Sequence, residues 1–343
     1  MDASWKRRIR VSLQALAAFI VALLIVGMIY EQIGRRQDRK RYPQIGRSVD
    51  IGGRTLNIYC SGAGSPTVIL DAGGHTAGYS WINIQPEIAK TTRTCWFDRA
   101  AYGWSDPGPS PRTFNAIVSD LHELLHAANI APPYVLVGAT AATFHIRVYN
   151  RLYPDEVAAA VLIHASDPEA FAHEPEYMKG SLGSLPPFAK KMSCALLGPA
   201  LLDTGVLRLL GNPGSGRPEG IQFLSHDQQS ELIFLSKNPE TACGGEGCDL
   251  DESLAEVRAA GNFGDRPLAV LVDATPFKAP RGPQYVKATE ALNQYWFHEL
   301  QPRLAALSTR GKLVLNQDAE KPPSIISSVN EVVAEVRGQP PLP

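Results

Sequence analysis

The sequence lacks an excess of charge of either sign. Its 33 lysine and arginine residues nearly balance its 34 aspartate and glutamate residues, which leaves a formal net charge of -1. Because the chain has no overall basic field, nucleic acid is not an expected partner. The sequence also lacks internal repeats. With 343 residues, 44% of them hydrophobic, it can bury the core of one large α/β domain, so disorder of the whole chain is not expected.

One uncharged apolar run covers residues 11–30. At about 1.5 Å per helical residue, its length matches the roughly 30 Å hydrocarbon layer of a bilayer. We therefore predict a transmembrane helix, preceded by a basic tail at residues 1–10 and followed by a basic linker at residues 31–43, with the lipid bilayer as a partner. A cleaved signal peptide is the alternative. The length of the run and the lack of a small-x-small cleavage site in "IYEQIG" favour an uncleaved anchor.

The side of the membrane is harder to predict. Basic residues flank both ends of the apolar run in nearly equal number, so the positive-inside rule does not decide the orientation. Of the five cysteines, Cys60 and Cys95 follow two predicted strands of one sheet, and Cys243 and Cys248 bracket the loop "CGGEGC", which leaves Cys194 over. Two disulfides are possible, and five reduced thiols are the alternative. With disulfides, the protein would be a single-pass membrane protein whose globular domain is extracytoplasmic, either periplasmic or extracellular.

Strand and helix patterns alternate along the rest of the chain. The segment "RSVDIGGRTLNIYC" reads as a hairpin, and apolar runs such as "PTVIL", "YVLVG", "VAAAVLI", "PLAVLV" and "KLVLN" read as buried strands. Amphipathic stretches such as "TFNAIVSDLHELLHAANI" separate them. This alternation predicts a mostly parallel sheet with helices on both faces.

The order of these motifs, together with "WINIQPEIAKTTRTCWFDRAAYGWSDPGPSPRT" and "LQPRLAALS", resembles the α/β-hydrolase fold. The resemblance covers residues 44–337 and is specifically to membrane-anchored or secreted serine hydrolases. It implies an α/β class fold with an eight-stranded sheet and a helical cap at about residues 166–265, followed by a Pro-rich tail at 338–343. Ligands of such sheets bind beyond the carboxyl ends of the strands, under the cap.

The resemblance places Thr140 where the family's G-x-S-x-G turn carries its nucleophilic serine. Gly138 and Ala142 are small, as the tight turn requires. Thr140 is β-branched and fits a turn with positive φ poorly. A threonine hydroxyl can nevertheless attack a substrate when a base activates it, so the base decides whether catalysis is retained.

The other two triad positions are also altered. The family's histidine follows the last strand, where "NQDAEKPPS" puts Ala319, and no histidine follows His298. In this branch an aspartate often follows the sixth strand, where this chain has His164. Asp273, which closes the seventh strand, occupies the commoner acid position of the wider fold. The resemblance therefore implies a degenerate triad at Thr140, Asp273 and His164.

Two further candidates lie in the loop "DAGGHTAGY". The resemblance implies an oxyanion-hole region at Gly74, His75 and Ala141, built from the amides of Ala141 and a residue near Gly74. His75 or His164 could act as a substitute base for Thr140. The alternative is that both histidines are ordinary polar residues whose hydrogen bonds stabilise loop backbone.

His122 and His126 share one face of a predicted helix at positions i and i+4. This spacing can hold zinc. Because no further ligand lies nearby in sequence, a solvated helix face is favoured, and we expect neither a metal nor a cofactor.

Two functions of different classes remain. In the first, the fold is kept and catalysis is lost, so the chain is a binding or scaffold subunit of a membrane assembly with another integral membrane protein as its candidate partner. In the second, the chain hydrolyses esters or related acyl compounds with Thr140, a substitute base and the oxyanion hole.

Overall fold

The computed structural model describes residues 3–178, 203–209, 221–236 and 249–339. One eight-stranded sheet forms its centre. The strands are β1 (Arg47–Asp50), β2 (Thr55–Ser61), β3 (Thr67–Asp71), β4 (Thr94–Phe97), β5 (Tyr134–Ala139), β6 (Val157–Ile163), β7 (Leu268–Asp273) and β8 (Gly311–Asn316).

The strand order is β1-β2-β4-β3-β5-β6-β7-β8. β2 pairs antiparallel with β1 and β4, and the remaining pairs are parallel. All residues of β3 and β4 are buried because helices cover both faces of a parallel sheet, which explains the uninterrupted apolar runs in the sequence. The predicted eight-stranded, mostly parallel sheet and α/β-hydrolase fold are confirmed.

Helices pack on both faces of the sheet. In the described residues they are α1 (Ala3–Arg41), α2 (Gln85–Ile88), α3 (Phe114–Ala127), α4 (Ala142–Leu152), α5 (Ala170–His173), α6 (Val206–Leu209), α7 (His226–Leu235), α8 (Leu250–Arg258), α9 (Pro283–Tyr295), α10 (Gln301–Ala305) and α11 (Pro322–Val336). α3 begins after Thr113, whose hydroxyl accepts the N–H of Ala116 and so caps the helix. One apolar core lies between the sheet and α3, α4, α8 and the segment after α9, and a second lies between the sheet, α2 and α11.

The first helix is longer than the apolar run. Its segment Arg7–Arg41 is long and apolar enough to cross a membrane, with a mean hydropathy of 2.5 over the most apolar stretch. The basic residues that the sequence assigned to a linker continue the same helix as far as Arg41. The reason is local, because this stretch is rich in arginine, lysine and glutamine, which favour helices, and the first proline is Pro43.

Helices of the cap lie between β6 and β7. The described residues of this insertion contain α5 to α8. The sequence placed the insertion at about residues 166–265, within the gap between Ile163 and Leu268 that the two strands leave.

Cys60 and Cys95 face each other on the antiparallel strands β2 and β4 and form a disulfide. Cys194, Cys243 and Cys248 lie outside the described residues. The proposed second pair, Cys243 with Cys248, therefore stays a prediction.

Candidate active site at the carboxyl ends of the strands

Thr140 occupies the sharp turn between β5 and α4. Its φ is 48°, in the left-handed region that β-branched residues rarely adopt. The N–H of Thr140 donates to the Ile163 carbonyl at 2.8 Å, which ties the turn to the end of β6. A Cβ on Gly138 would lie 2.6 Å from Cδ1 of Ile146 and 3.0 Å from the Ala142 backbone, so any larger residue there would crowd the start of α4. The turn keeps the strained geometry of a nucleophile position although a threonine fills it.

Gly74 lies close to both Thr140 and Ala141. The N–H of Gly74 donates to Thr140 Oγ1 over an N–O distance of 3.4 Å. A Cβ on Gly74 would be 3.4 Å from the Cβ of Ala141, which directly precedes α4. His75 follows Gly74 with a φ of 57° and an exposed side chain. The structure therefore brings Gly74, Thr140 and Ala141 together, whereas the His75 side chain is exposed.

A buried polar cluster supports the loop that carries Gly74. The Arg99 guanidinium donates to Asp71 Oδ1 at 2.9 Å and to the carbonyls of Ala72 and Gly73 at 2.6 and 3.0 Å. His145 Nδ1 lies 2.8 Å from Asp71 Oδ2. Burial acts to raise the pKa of Asp71, but the nearby His145 and Arg99 outweigh it and hold that pKa below its usual range. Sequence reasoning missed this cluster, since 74 residues separate Asp71 from His145.

The position of the family's histidine holds a methyl group. Ala319 follows β8 and is fully buried. The next residue, Glu320, binds its neighbours instead: its Oε1 lies 2.9 Å from His164 Nδ1 and accepts the N–H of Asp273 at 2.8 Å. The ends of β6, β7 and β8 are thus joined by one carboxylate. Sequence reasoning did not single out Glu320, and its only local signal is its place immediately after Ala319.

The Asp273 carboxylate bonds to the backbone of the turn that follows β7. Its Oδ1 accepts the Thr275 N–H at 2.7 Å, and this hydrogen bonding to Thr275 lowers the pKa of Asp273. His164 has a φ of 50°, and its ring lies 5.1 Å from that of Trp296. The three predicted triad positions therefore lie at adjacent strand ends, and His164 Nδ1 is within hydrogen-bond distance of Glu320.

The two histidines of α3 have a third neighbour. His126 Nε2 is 2.8 Å from Glu156 Oε1, and His122 Nδ1 is 3.3 Å from Glu156 Oε2. The sequence shows no third ligand close to the two histidines because Glu156 is 30 residues from His126, and only the folded chain brings the carboxylate to the imidazoles.

Comparison with known proteins agrees with this architecture. A family model described as alpha/beta hydrolase fold matches residues 66–188. The uncharacterized protein YbdG of Bacillus subtilis (strain 168) is 22% identical over 173 residues, which cover 50% of this chain and 53% of YbdG. A vacuolar membrane protein of Saccharomyces cerevisiae (strain YJM789) is 29% identical over 104 residues, which cover 29% of this chain and 16% of that protein. The matches thus span about half the length of these relatives or less.

Solved structures share the fold at low sequence identity. The haloalkane dehalogenase DbeA from Bradyrhizobium elkani USDA94 is similar with a TM-score of 0.59 and 18% identity, over 85% of this chain and 98% of that enzyme. The epoxide hydrolase CorEH is similar with a TM-score of 0.58 and 14% identity, over 85% of this chain and 99% of that enzyme. The sheet topology, the family model that matches residues 66–188 and these structural neighbours together show that the chain has the α/β-hydrolase fold.

Proposed function

We propose that the protein is a membrane-anchored α/β-hydrolase-fold subunit that has lost hydrolytic catalysis and acts as a binding or scaffold component of a membrane assembly. The observation that carries this proposal is Ala319. A general base must offer a lone pair within about 3 Å of the nucleophile's proton, and a buried methyl group offers none. Thr140, at the strained turn, replaces the serine that this base would activate.

The rearranged strand ends support the same proposal. The same carboxylate oxygen of Glu320 lies within hydrogen-bond distance of His164 Nδ1 and accepts the N–H of Asp273. A carboxylate with these two partners ties together the carboxyl ends of β6, β7 and β8. The Asp273 carboxylate accepts a hydrogen bond from the Thr275 N–H, whereas the acid of a triad would orient a histidine. The polar side chains at the carboxyl ends of β6, β7 and β8 thus bond to the backbone and to one another.

Contacts between α1 and the cap support a position at the membrane surface. Arg208 on α6 donates to both carboxylate oxygens of Glu31, at 2.8 and 3.1 Å, and to Asp38 Oδ2 at 2.8 Å. A Cβ on Gly27 would lie 2.3 Å from the Thr204 carbonyl oxygen, so the backbones of helix and cap are in contact there. Gly27 lies inside the apolar run. The cap therefore sits next to the bilayer if α1 crosses it, within reach of a second membrane protein.

The disulfide supports an extracytoplasmic domain. The Cys60–Cys95 bond is stable in oxidising compartments and rare in a reducing cytosol. A signal anchor with its N-terminus in the cytoplasm would place the sheet and the cap in such a compartment.

One specific arrangement favours a second candidate, an acyl hydrolase with Thr140 as its nucleophile. The Gly74 N–H already points at Thr140 Oγ1, and the Thr140 N–H is bonded to the residue that precedes His164. In this reaction His164 would take the hydroxyl proton while Glu320 held the imidazole, and the amides of Gly74 and Ala141 would stabilise the oxyanion.

Hydrolysis of a p-nitrophenyl ester panel by the full-length chain in detergent micelles separates the two candidates. The variants are Thr140→Ala, His164→Gln and a matched control, Thr309→Ala, which removes an exposed hydroxyl that bonds to the Gly264 carbonyl. For the non-catalytic subunit we expect the same background rate from all four proteins. A rate that drops in Thr140→Ala and His164→Gln, but not in Thr309→Ala, would replace our proposal with the hydrolase.

A further inference from the structure

A cluster of metal-ligand side chains lies at the opposite edge of the sheet from Thr140. His122 and His126 stand on the last two turns of α3, and Glu156 directly precedes β6. The amino end of a parallel strand lies away from its carboxyl end, where the fold binds its ligands. The cluster is therefore separate from the candidate active site.

The spacing of the ligand atoms suits a metal ion. One ligand atom from each of the three side chains lies within 4.8 Å of the other two. The two imidazole-to-carboxylate distances are 2.8 and 3.3 Å. Tetrahedral zinc with bonds of roughly 2.0–2.2 Å separates its ligands by about 3.3–3.6 Å. Small side-chain movements would thus bring all three ligands to bonding distance.

Neighbouring aromatic residues hold two of the ligands in place. The His122 ring stacks on Tyr153, with ring centroids 3.8 Å apart and planes 4° from parallel. The Tyr149 hydroxyl, on a fully buried side chain, donates to Glu156 Oε2 at 2.5 Å. Such contacts orient metal ligands before the ion arrives, which reduces the entropy that binding costs.

We propose that His122, His126 and Glu156 bind one divalent transition-metal ion. Two imidazoles and one carboxylate favour zinc, and water completes a tetrahedron. The charge of the ion offsets that of the carboxylate, and its bonds to the three side chains replace the hydrogen bonds between the imidazoles and Glu156. It joins α3 to the start of β6, so its role is to strengthen the scaffold at an edge remote from Thr140.

The test uses the full-length chain in detergent, purified through a tag without histidines and stripped with a chelator. Zinc is titrated in competition with a chromophoric chelator, and metal content is measured by mass spectrometry. We expect one zinc per chain. In His126→Gln and Glu156→Gln the affinity falls at least tenfold, whereas His298→Gln, which alters an exposed histidine outside the cluster, binds like the wild type.

Two further measurements identify the site and control for misfolding. Cobalt(II) bound by the wild type is expected to give the visible absorption bands of tetrahedral coordination, and His126→Gln loses them. The His126 side chain is 50% exposed, so its replacement leaves the packed core in place. Tyr149→Phe keeps all three ligands and lowers zinc affinity by removing the hydrogen bond to Glu156. Sub-stoichiometric zinc in the wild type, or zinc binding unchanged in His126→Gln, would overturn the proposal.

Discussion

Asp71→Asn tests how far the buried cluster beneath the Gly74 loop holds the fold together. The Asp71 and Arg99 side chains are 4% and 2% exposed, and the His145 side chain is also 2% exposed. The asparagine has nearly the same shape but no charge. It also replaces one acceptor oxygen of the carboxylate with an NH2 donor, which then faces either the Arg99 guanidinium or His145 Nδ1.

The expected loss is a large part of the stability of the domain. Removing one partner of a buried ion pair costs about 3–5 kcal/mol, because the other charge remains buried without compensation. Arg99 keeps its bonds to the carbonyls of Ala72 and Gly73, so we expect a loss near the lower limit, about 3 kcal/mol. The total free energy of unfolding of a native protein is about 5–15 kcal/mol, so a loss of this size is a large fraction of it.

Urea unfolding followed by tryptophan fluorescence at pH 7 measures the difference in detergent. The matched control is Asp318→Asn, which alters an aspartate whose side chain is 68% exposed and pairs with Lys321. We expect this control to change the free energy of unfolding by less than about 0.5 kcal/mol. If Asp71→Asn costs no more than the control, the cluster does not contribute in the way we describe.

The pH dependence gives an independent check on the charge of Asp71. The folded-state pKa of Asp71 lies below its unfolded-state value. Its stabilisation is therefore complete above the unfolded pKa, about 3.9, and is lost as the pH falls through the folded pKa. The stability gap between wild type and Asp71→Asn should narrow below about pH 4. A gap that stays constant on acidification would mean that charge is not its cause.

Two further predictions concern a buried acid and the cap. Burial raises the pKa of Asp98 to about 6, although hydrogen bonds such as that from Asn57 lower it. The folded-state pKa exceeds the unfolded one, so the stability of the wild type should fall by about 3 kcal/mol relative to Asp98→Asn as the pH rises from about 3 to about 7. Parallel plots of the free energy of unfolding against pH for the two proteins, measured with urea, would contradict this. Arg208→Ala removes the contacts to Glu31 and Asp38, so chymotrypsin should cleave the cap of this variant faster than that of the wild type. Equal cleavage rates would show that these contacts do not hold the cap against α1.

Most of the fold could be predicted because its signals are local. The run "VAAAVLI" predicts β6 with the bounds that the structure has, since a strand buried on both faces needs an uninterrupted apolar sequence. The first helix was less well predicted. The apolar run indicates where a bilayer could be crossed, whereas the helix continues through the basic residues to Arg41.

Some residues of the candidate site could be predicted from the sequence and others could not. Gly74, Thr140 and Ala141 could be singled out in advance because the family resemblance assigns roles to the two short turn motifs that contain them. Glu320 could not, because 156 residues separate it from His164. Its role depends on the parallel order of β6, β7 and β8, which brings their carboxyl ends to one edge.

Short-range patterns of apolarity and turn residues thus determined most strands and the class of fold, and the resemblance to a known family placed Thr140 and Ala319 at the positions of its serine and histidine. The pairing of Glu320 with His164, the burial of Asp71 between Arg99 and His145, and the approach of Glu156 to two histidines required the folded chain. The physical reason is that hydrogen bonds and metal ligation act over about 2–3 Å between side chains, and only packing decides which distant residues come that close.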